Sequence, residues 1–284
     1  MFEVRVNPKP AGMDFYTIAC ISDEPGFAVA SVILVGKEEL GLIDCQWTLS
    51  NGHRVLAEIL ELKKPLTTIY VTHAHPDHFW GIQPIIDHFP DAKVLCLPDA
   101  ARIITKQFDA KIAEWSDFIG RDNLPAKPPV FTPLTEPYFM FEGHKIEVYT
   151  EVMADLKYNT VVCIPDLSTF IGSDLLFNQA HVLVAEVTEE ERLQWLEELD
   201  RFQAMHCETV IPGHTMHGLP FDESSFEFTR AYLKASAEEL KKCKDMGEYF
   251  FNMIQRFPDA GIRLCHDINS KALYGLMEWN WRED

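Results

Sequence analysis

Thr72-His73-Ala74-His75-Pro76-Asp77-His78 follows directly on the apolar run Leu66-Thr67-Thr68-Ile69-Tyr70-Val71. The β-branched residues Thr67, Thr68, Ile69, Val71 and Thr72 favour a buried strand leading into the histidines. Pro76 has no amide hydrogen to give a sheet ladder, so the polar residues fall on the loop at that strand's end. In extended backbone His73 and His75, two residues apart, project to the same side and can share one ion. Beyond Pro76 the chain turns, and Asp77 with His78 can face a second ion close by. Three imidazoles and a carboxylate in six residues are too dense for a solvated loop with incidental histidines, so the motif predicts a metal site. Its donors suit zinc first, with iron or manganese as harder alternatives.

His73-Ala74-His75-Pro76-Asp77-His78 resembles the signature of the metallo-β-lactamase fold superfamily, and three further segments extend the likeness. Gly41-Leu42-Ile43-Asp44 is similar to the family's strand ending in an aspartate that supports the metal loop. Gly172-Ser173-Asp174 resembles the segment with the metal-bridging carboxylate, and Ile211-Pro212-Gly213-His214 the last metal histidine. The resemblance implies an α/β fold, a four-layer αβ/βα sandwich with, in this chain, a helical C-terminal extension. It also implies His73, His75, Asp77, His78, Asp174 and His214 as ligands of two divalent ions, Asp77 as the group that holds or deprotonates the attacking water, and Asp44 as a support hydrogen-bonded behind the ligands.

The chain departs from the family pattern at one ligand. The family's further histidine, which completes the first metal's shell, has no counterpart, because no histidine lies between His144 and His181. Asp155 stands 19 residues before Asp174, a spacing like that of the missing histidine and the bridging residue, and is expected to replace it. Glu151, four residues earlier, is the rival. Either carboxylate adds negative charge to the pair of ions, favours harder metals and leaves bound water less acidic than three imidazoles would.

With 284 residues, 47% of them apolar, the chain can bury a full core. Residues 1–220 are expected to form the catalytic domain, with a lid-like insert at 100–138, and residues 221–284 a helical extension packed on it. A formal net charge of −19 argues against a nucleic-acid backbone as partner. The first ten residues lack a signal-peptide pattern and no apolar run is long enough for a membrane span, so neither export nor a membrane is expected. Seven cysteines without paired spacing fit reduced thiols and a cytoplasmic location.

Along the chain, helical spacing covers Leu49–Lys64 with Asn51 as the expected cap, and an amphipathic stretch runs from Asp99 to Ile119. A proline-rich loop from Arg121 to Tyr138 reads as the lid, with Trp115, Phe118 and Asn123 beside it as the side chains to inspect. Thr188 and Glu191 form a capping box before a helix to Ala204. His144 and His217 read as surface residues, and Phe15 and Phe27 as core aromatics. The apolar tail Leu273–Trp281 reads as lining either the site or a homodimer interface.

The function these features predict is metal-dependent hydrolysis of a small ester, lactone or thioester, by hydroxide at a dinuclear centre. Two alternatives share the fold: a diiron redox or oxygen-reactive protein, and a degenerate binding or sensing protein. Diiron relatives generally lose the histidine that His78 matches and carry a flavin domain, and both points favour hydrolysis here.

Overall fold

In the computed structural model, which describes residues 2–8 and 10–278, the described strands form two main sheets. The first holds, side by side and in chain order, β1 (Glu3–Val6), β2 (Tyr16–Ile21), β3 (Ala30–Val35), β4 (Leu40–Ile43), β5 (Leu66–Val71), β6 (Lys93–Cys96) and β7 (Thr132–Pro133). It is antiparallel from β1 to β4 and parallel from β4 to β7. The switch follows from the connections, since parallel neighbours need crossovers and the helices supply them. These are α1 (Leu49–Glu61), α2 (Gln83–His88) and α3 (Pro98–Ile119).

The second sheet contains β8 (Tyr138–Phe141), β9 (His144–Val152), β10 (Asn159–Ile164) and β11 (Thr169–Ile171). A short strand, β12 (Phe177–Asn178), leaves it. Helix α4 (Glu189–Gln203) then returns the chain to β13 (Thr209–Ile211), which pairs in parallel with β11, and β14 (His214–Thr215) pairs with β12. Helices α5 (Ser224–Lys242), α6 (Met246–Arg256) and α7 (Arg263–Leu273) follow.

The period of two along the strands separates two cores. Ala30, Val32 and Leu34 of β3 join Tyr70 and, from the facing sheet, Phe141, Ile146, Val162 and Ile171 in the layer between the sheets. Ile33 and Val35, on the other face of β3, join Val55, Ile59 and Ile85 of the helices. On the outer face of the second sheet Val161, Phe170 and Val210 pack with Trp195, Leu199 and Phe226. Helix, sheet, sheet and helix therefore stack in four layers, the expected sandwich.

Several local readings change. Thr48, not Asn51, caps α1: its hydroxyl accepts from the Asn51 amide at 3.2 Å, which puts Asn51 inside the first turn. Strand β3 begins only at Ala30, after the left-handed backbone of Phe27 and Ala28. The proline-rich segment is tied down along its length. Asn123 accepts from the Ser50 amide, the Ala126 amide donates to Gln83, and Leu134 bonds Cys96 beside β7. Trp279 and Trp281 of the expected aromatic tail lie outside the described residues.

Candidate metal centre

The ends of the sheets and the loops beyond them deliver the polar residues to one place. β5 ends at Val71, and a single 3-10 turn at Pro76–His78 follows the histidine pair. Asp174 lies on another such turn after β11, and His214 begins β14. The close approach of these segments depends on glycine: a Cβ on Gly213 would sit 2.5 Å from Asp174 Oδ1 and from the backbone of Ser173. Gly52 of α1 meets Gly81 just after the motif in the same way, with 1.9 Å from its would-be Cβ to the Gly81 carbonyl oxygen.

Two groups of ligand-type atoms result: His73, His75, Asp155 and Asp174 in one, and Asp77, His78 and His214 in the other. Asp174 touches both. Its Oδ1 lies 2.9 Å from His78 Nε2 and 3.3 Å from His214 Nε2, while its Oδ2 lies 3.4 Å from His73 Nε2 and 3.6 Å from His75 Nδ1. Asp155 approaches His75 Nδ1 at 3.1 Å. Asp77 comes within 3.5 Å of His214 Nε2. The seven residues read as ligands thus fall in these two groups, Asp155 among them. Glu151, the rival, is exposed at the end of β9 beside Lys157 and Glu198, away from both groups.

These atoms are buried and close, yet His73 Nε2, His78 Nε2, both Asp155 oxygens and Asp174 Oδ1 are in hydrogen-bond alignment with nothing. Buried polar atoms are ordinarily paired, and a set of orphans converging on common points is what cation ligands look like. The donor sets therefore fit divalent metal ions.

The imidazoles are fixed from behind. His78 Nδ1 meets Asp44 Oδ2 at 2.7 Å, and the same carboxylate accepts from the Thr72 amide at 2.9 Å and its hydroxyl at 2.8 Å. Asp44 thereby ties the end of β4 to the motif and leaves His78 Nε2 facing inward. His214 Nδ1 donates to the Phe27 carbonyl at 2.7 Å, and its ring stacks on Phe177. His73 Nδ1 lies 3.0 Å from Thr72 Oγ1 and 3.2 Å from Ser173 Oγ.

Protonation follows from burial and charge. Burial pushes the Asp155 carboxyl up to about 7, against the pull of His75 and with the push of Asp174. Burial also acts on Asp174, but His78, His214 and His73 together hold it well below the usual carboxylate range. His78 is raised despite its burial by Asp174 and Asp44, whereas burial and the neighbouring His78 depress His73 to about 4.

A cavity opens onto both groups, walled by Phe27, Trp47, Trp115, Phe177, Leu183 and Ile268. Phe27, Trp47 and Trp115 pack edge to face, with Phe27 and Trp47 centroids 4.2 Å apart. Phe27 is thus a wall of the site as well as a core aromatic. Two charged residues that the motif reading missed also line it, Lys111 from α3 and Glu186 from the loop after β12. Burial lowers the Lys111 ammonium, and among the charges that oppose the shift Glu186 comes first, ahead of Asp77. Neither residue belongs to a motif; the helical period of α3, which sets Lys111 one turn before Trp115, was the only available signal.

The other residues singled out from sequence lie elsewhere. His144 stacks on Phe15 and pairs with Asp166 at 2.6 Å, and His217 Nε2 contacts the Ser22 carbonyl at 2.8 Å. Phe118 is 61% exposed beside Trp47, and no residue of 121–138 lines the cavity, so the wall on this side is α3 rather than the proline-rich loop.

Comparison with known proteins agrees with this geometry. The model of the metallo-beta-lactamase superfamily matches residues 25–214. Among solved structures the chain resembles TMB-1, with a TM-score of 0.59 and 18% identity over 82% of this chain and 98% of that one. It also resembles VMB-1, with a TM-score of 0.60 and 16% identity over 83% and 98%. A metallo-beta-lactamase from Pontibacter korlensis gives a TM-score of 0.58 and 22% identity over 82% and 99%. At such identities these likenesses speak for the fold alone. No curated protein matches the sequence.

Proposed function

The chain belongs to the metallo-beta-lactamase superfamily, and we propose that it is a hydrolase of a small ester, lactone or thioester that uses two divalent ions, zinc before iron or manganese. The observation that carries this reading is the pair of buried ligand groups sharing Asp174, opening onto one cavity. In the first, His73, His75 and Asp155 would hold an ion; in the second, Asp77, His78 and His214. Ions so held supply a hydroxide near neutral pH and a Lewis acid for a carbonyl oxygen.

The protein's own part is positioning and exclusion of water. Asp77, partly exposed at the cavity, has a carboxylate placed to orient an attacking water and take its proton. The aromatic wall of Phe27, Trp47 and Trp115 gives an apolar substrate body a surface to pack on and lowers the local dielectric, which strengthens each charge interaction inside. Lys111 offsets part of the charge of the surrounding carboxylates. A second reading, diiron redox chemistry, draws on one observation, the carboxylate Asp155 among the first group's donors.

No described helix is long and apolar enough to cross a membrane. All seven cysteines are free, which fits the cytoplasm as the proposed compartment. The net charge of −19 fits a small-molecule substrate rather than nucleic acid.

The test is a panel of esters, lactones, thioesters and phosphodiesters offered to protein loaded separately with zinc, manganese or iron(II). Turnover of a carbonyl substrate is expected, falling about 10²–10⁴-fold in Asp77→Ala. Dioxygen consumption by iron-loaded protein without hydrolysis, or turnover of phosphodiesters alone, contradicts it.

A further inference from the structure

Four imidazoles face the two ligand groups, and three of them are held from behind through Nδ1: His73 by the Thr72 and Ser173 hydroxyls, His78 by Asp44, His214 by the Phe27 carbonyl. His75 is turned the other way. Its Nδ1 faces Asp155 and Asp174, and its Nε2 points to the far wall, where Glu186 Oε1 lies 3.4 Å away. The two nitrogens of an imidazole diverge, so a carboxylate at Nε2 stands on the side of the ring opposite an ion at Nδ1. Glu186 accordingly falls outside both ligand groups, although it is 3% exposed and lines the same cavity.

We propose that Glu186 is a positioning residue for the metal centre: it takes the Nε2–H of His75, fixes that ring in the tautomer with a free Nδ1 lone pair, and so sets the affinity of the first group for its ion. The inference rests on the metal reading above and concerns a residue that no ligand motif contains. The chemistry demands such a partner, because a neutral imidazole that ligates through one nitrogen carries its proton on the other. A carboxylate there also raises the basicity of the ligating nitrogen. At 3.4 Å the contact is a few tenths of an ångström longer than a full hydrogen bond, within the reach of a small side-chain adjustment.

The fold holds Glu186 ready for this. Its loop is clamped by α7: Asn269 Nδ2 donates to the Val182 carbonyl at 2.7 Å, and the Val184 amide donates to Asn269 Oδ1 at 2.8 Å. Just upstream, His181 donates its amide to the Gly261 carbonyl at 2.9 Å, and Gly261 donates to the Gln179 carbonyl at 2.9 Å. The segment after β12 is thus bonded to the start of α7 almost as a strand would be. Helix α7 thereby holds the loop of Glu186 and, through Ile268, also walls the cavity itself.

The test is cobalt(II) binding, read by equilibrium dialysis and by the visible ligand-field spectrum, in a His214→Ala background where the first group is the intact one. Glu186→Ala is expected to weaken cobalt binding about 10–100-fold and to alter the spectrum. Glu186→Gln, which keeps an acceptor oxygen without the charge, is expected to recover part of that loss, and it carries the test if the alanine variant fails to fold. In otherwise wild-type protein Glu186→Ala should leave the ion at Asp77, His78 and His214 within about twofold. Affinity unchanged in both Glu186 variants would overturn the proposal, as would equal weakening of both ions, which would mark a merely structural role. Absence of cobalt binding by the wild type would instead bring down the metal reading itself.

Discussion

Asp155 brings two anionic oxygens to a place where a third imidazole would bring one neutral nitrogen. Its carboxyl, held up to about 7 mainly by burial, must give up a proton for an ion to bind below that pH, so loading of the first group should release a proton and weaken in acid. An added anion would also make a bound ion a weaker Lewis acid and a water on it less acidic. Asp155→Asn, close to isosteric, is therefore expected to bind the first ion about 10–100-fold more weakly and, once saturated, to shift the acid limb of the pH–rate profile downward. An unmoved limb in the saturated variant would count against a role for that charge. The sequence made Asp155 legible through spacing alone; it did not make Glu186 or Lys111 legible. Those two reach the cavity through the fold, one on a loop held by α7 and the other on the inward face of α3.

Elements carry the site because their backbones meet closely. The junction of α1 with the turn after the motif has room for hydrogen only, with the would-be Cβ of Gly52 1.9 Å from the Gly81 carbonyl oxygen. Gly52→Ala should force the two segments apart and cost roughly 1–3 kcal/mol, read as a Tm lower by several degrees; an unchanged Tm would show that the junction yields. Asn269→Ala should act on the loop held by α7. It strips partners from two buried backbone groups, at a cost of about 1–3 kcal/mol, and should loosen the loop of Glu186 as judged by faster amide exchange at Val184. At this scale the strand and helix patterns were readable because period two and period 3.6 survive in the apolar residues. Prolines mark a segment that cannot join a ladder interior, but they do not say whether it is tied down. Here hydrogen bonds to Ser50, Gln83 and Cys96 tie it, and α3 walls the cavity instead.

Across the whole molecule, acid should act through the helical layer as well as through the metal ligands. His181 and His266 stack with centroids 4.6 Å apart, and His181 Nδ1 lies 3.0 Å from the Tyr232 hydroxyl. Burial, then the charge of His266, depresses His181 to about 3, and burial lowers His266 too. A histidine depressed in the folded state takes up its proton on unfolding, so its stabilising contribution is whole above about pH 6.5 and drains away as pH falls toward 3. The drain is on the order of 1 kcal/mol per pH unit per group. His181→Gln should flatten the fall of unfolding free energy between about pH 6 and 4; an equally steep fall would remove the pair from the account. The four-layer order was predictable from the family motifs. The helices' hold on the site was not, since it runs through Asn269 and Gly261 contacts that no local pattern encodes. The chemistry proposed depends on two ions held by two ligand groups, the first completed by Asp155. Its most direct test is the metal content per chain of protein purified without chelators, for wild type beside Asp155→Ala. About two ions falling to about one is the predicted result. An unchanged count in the variant, or no more than one ion in the wild type, would contradict it.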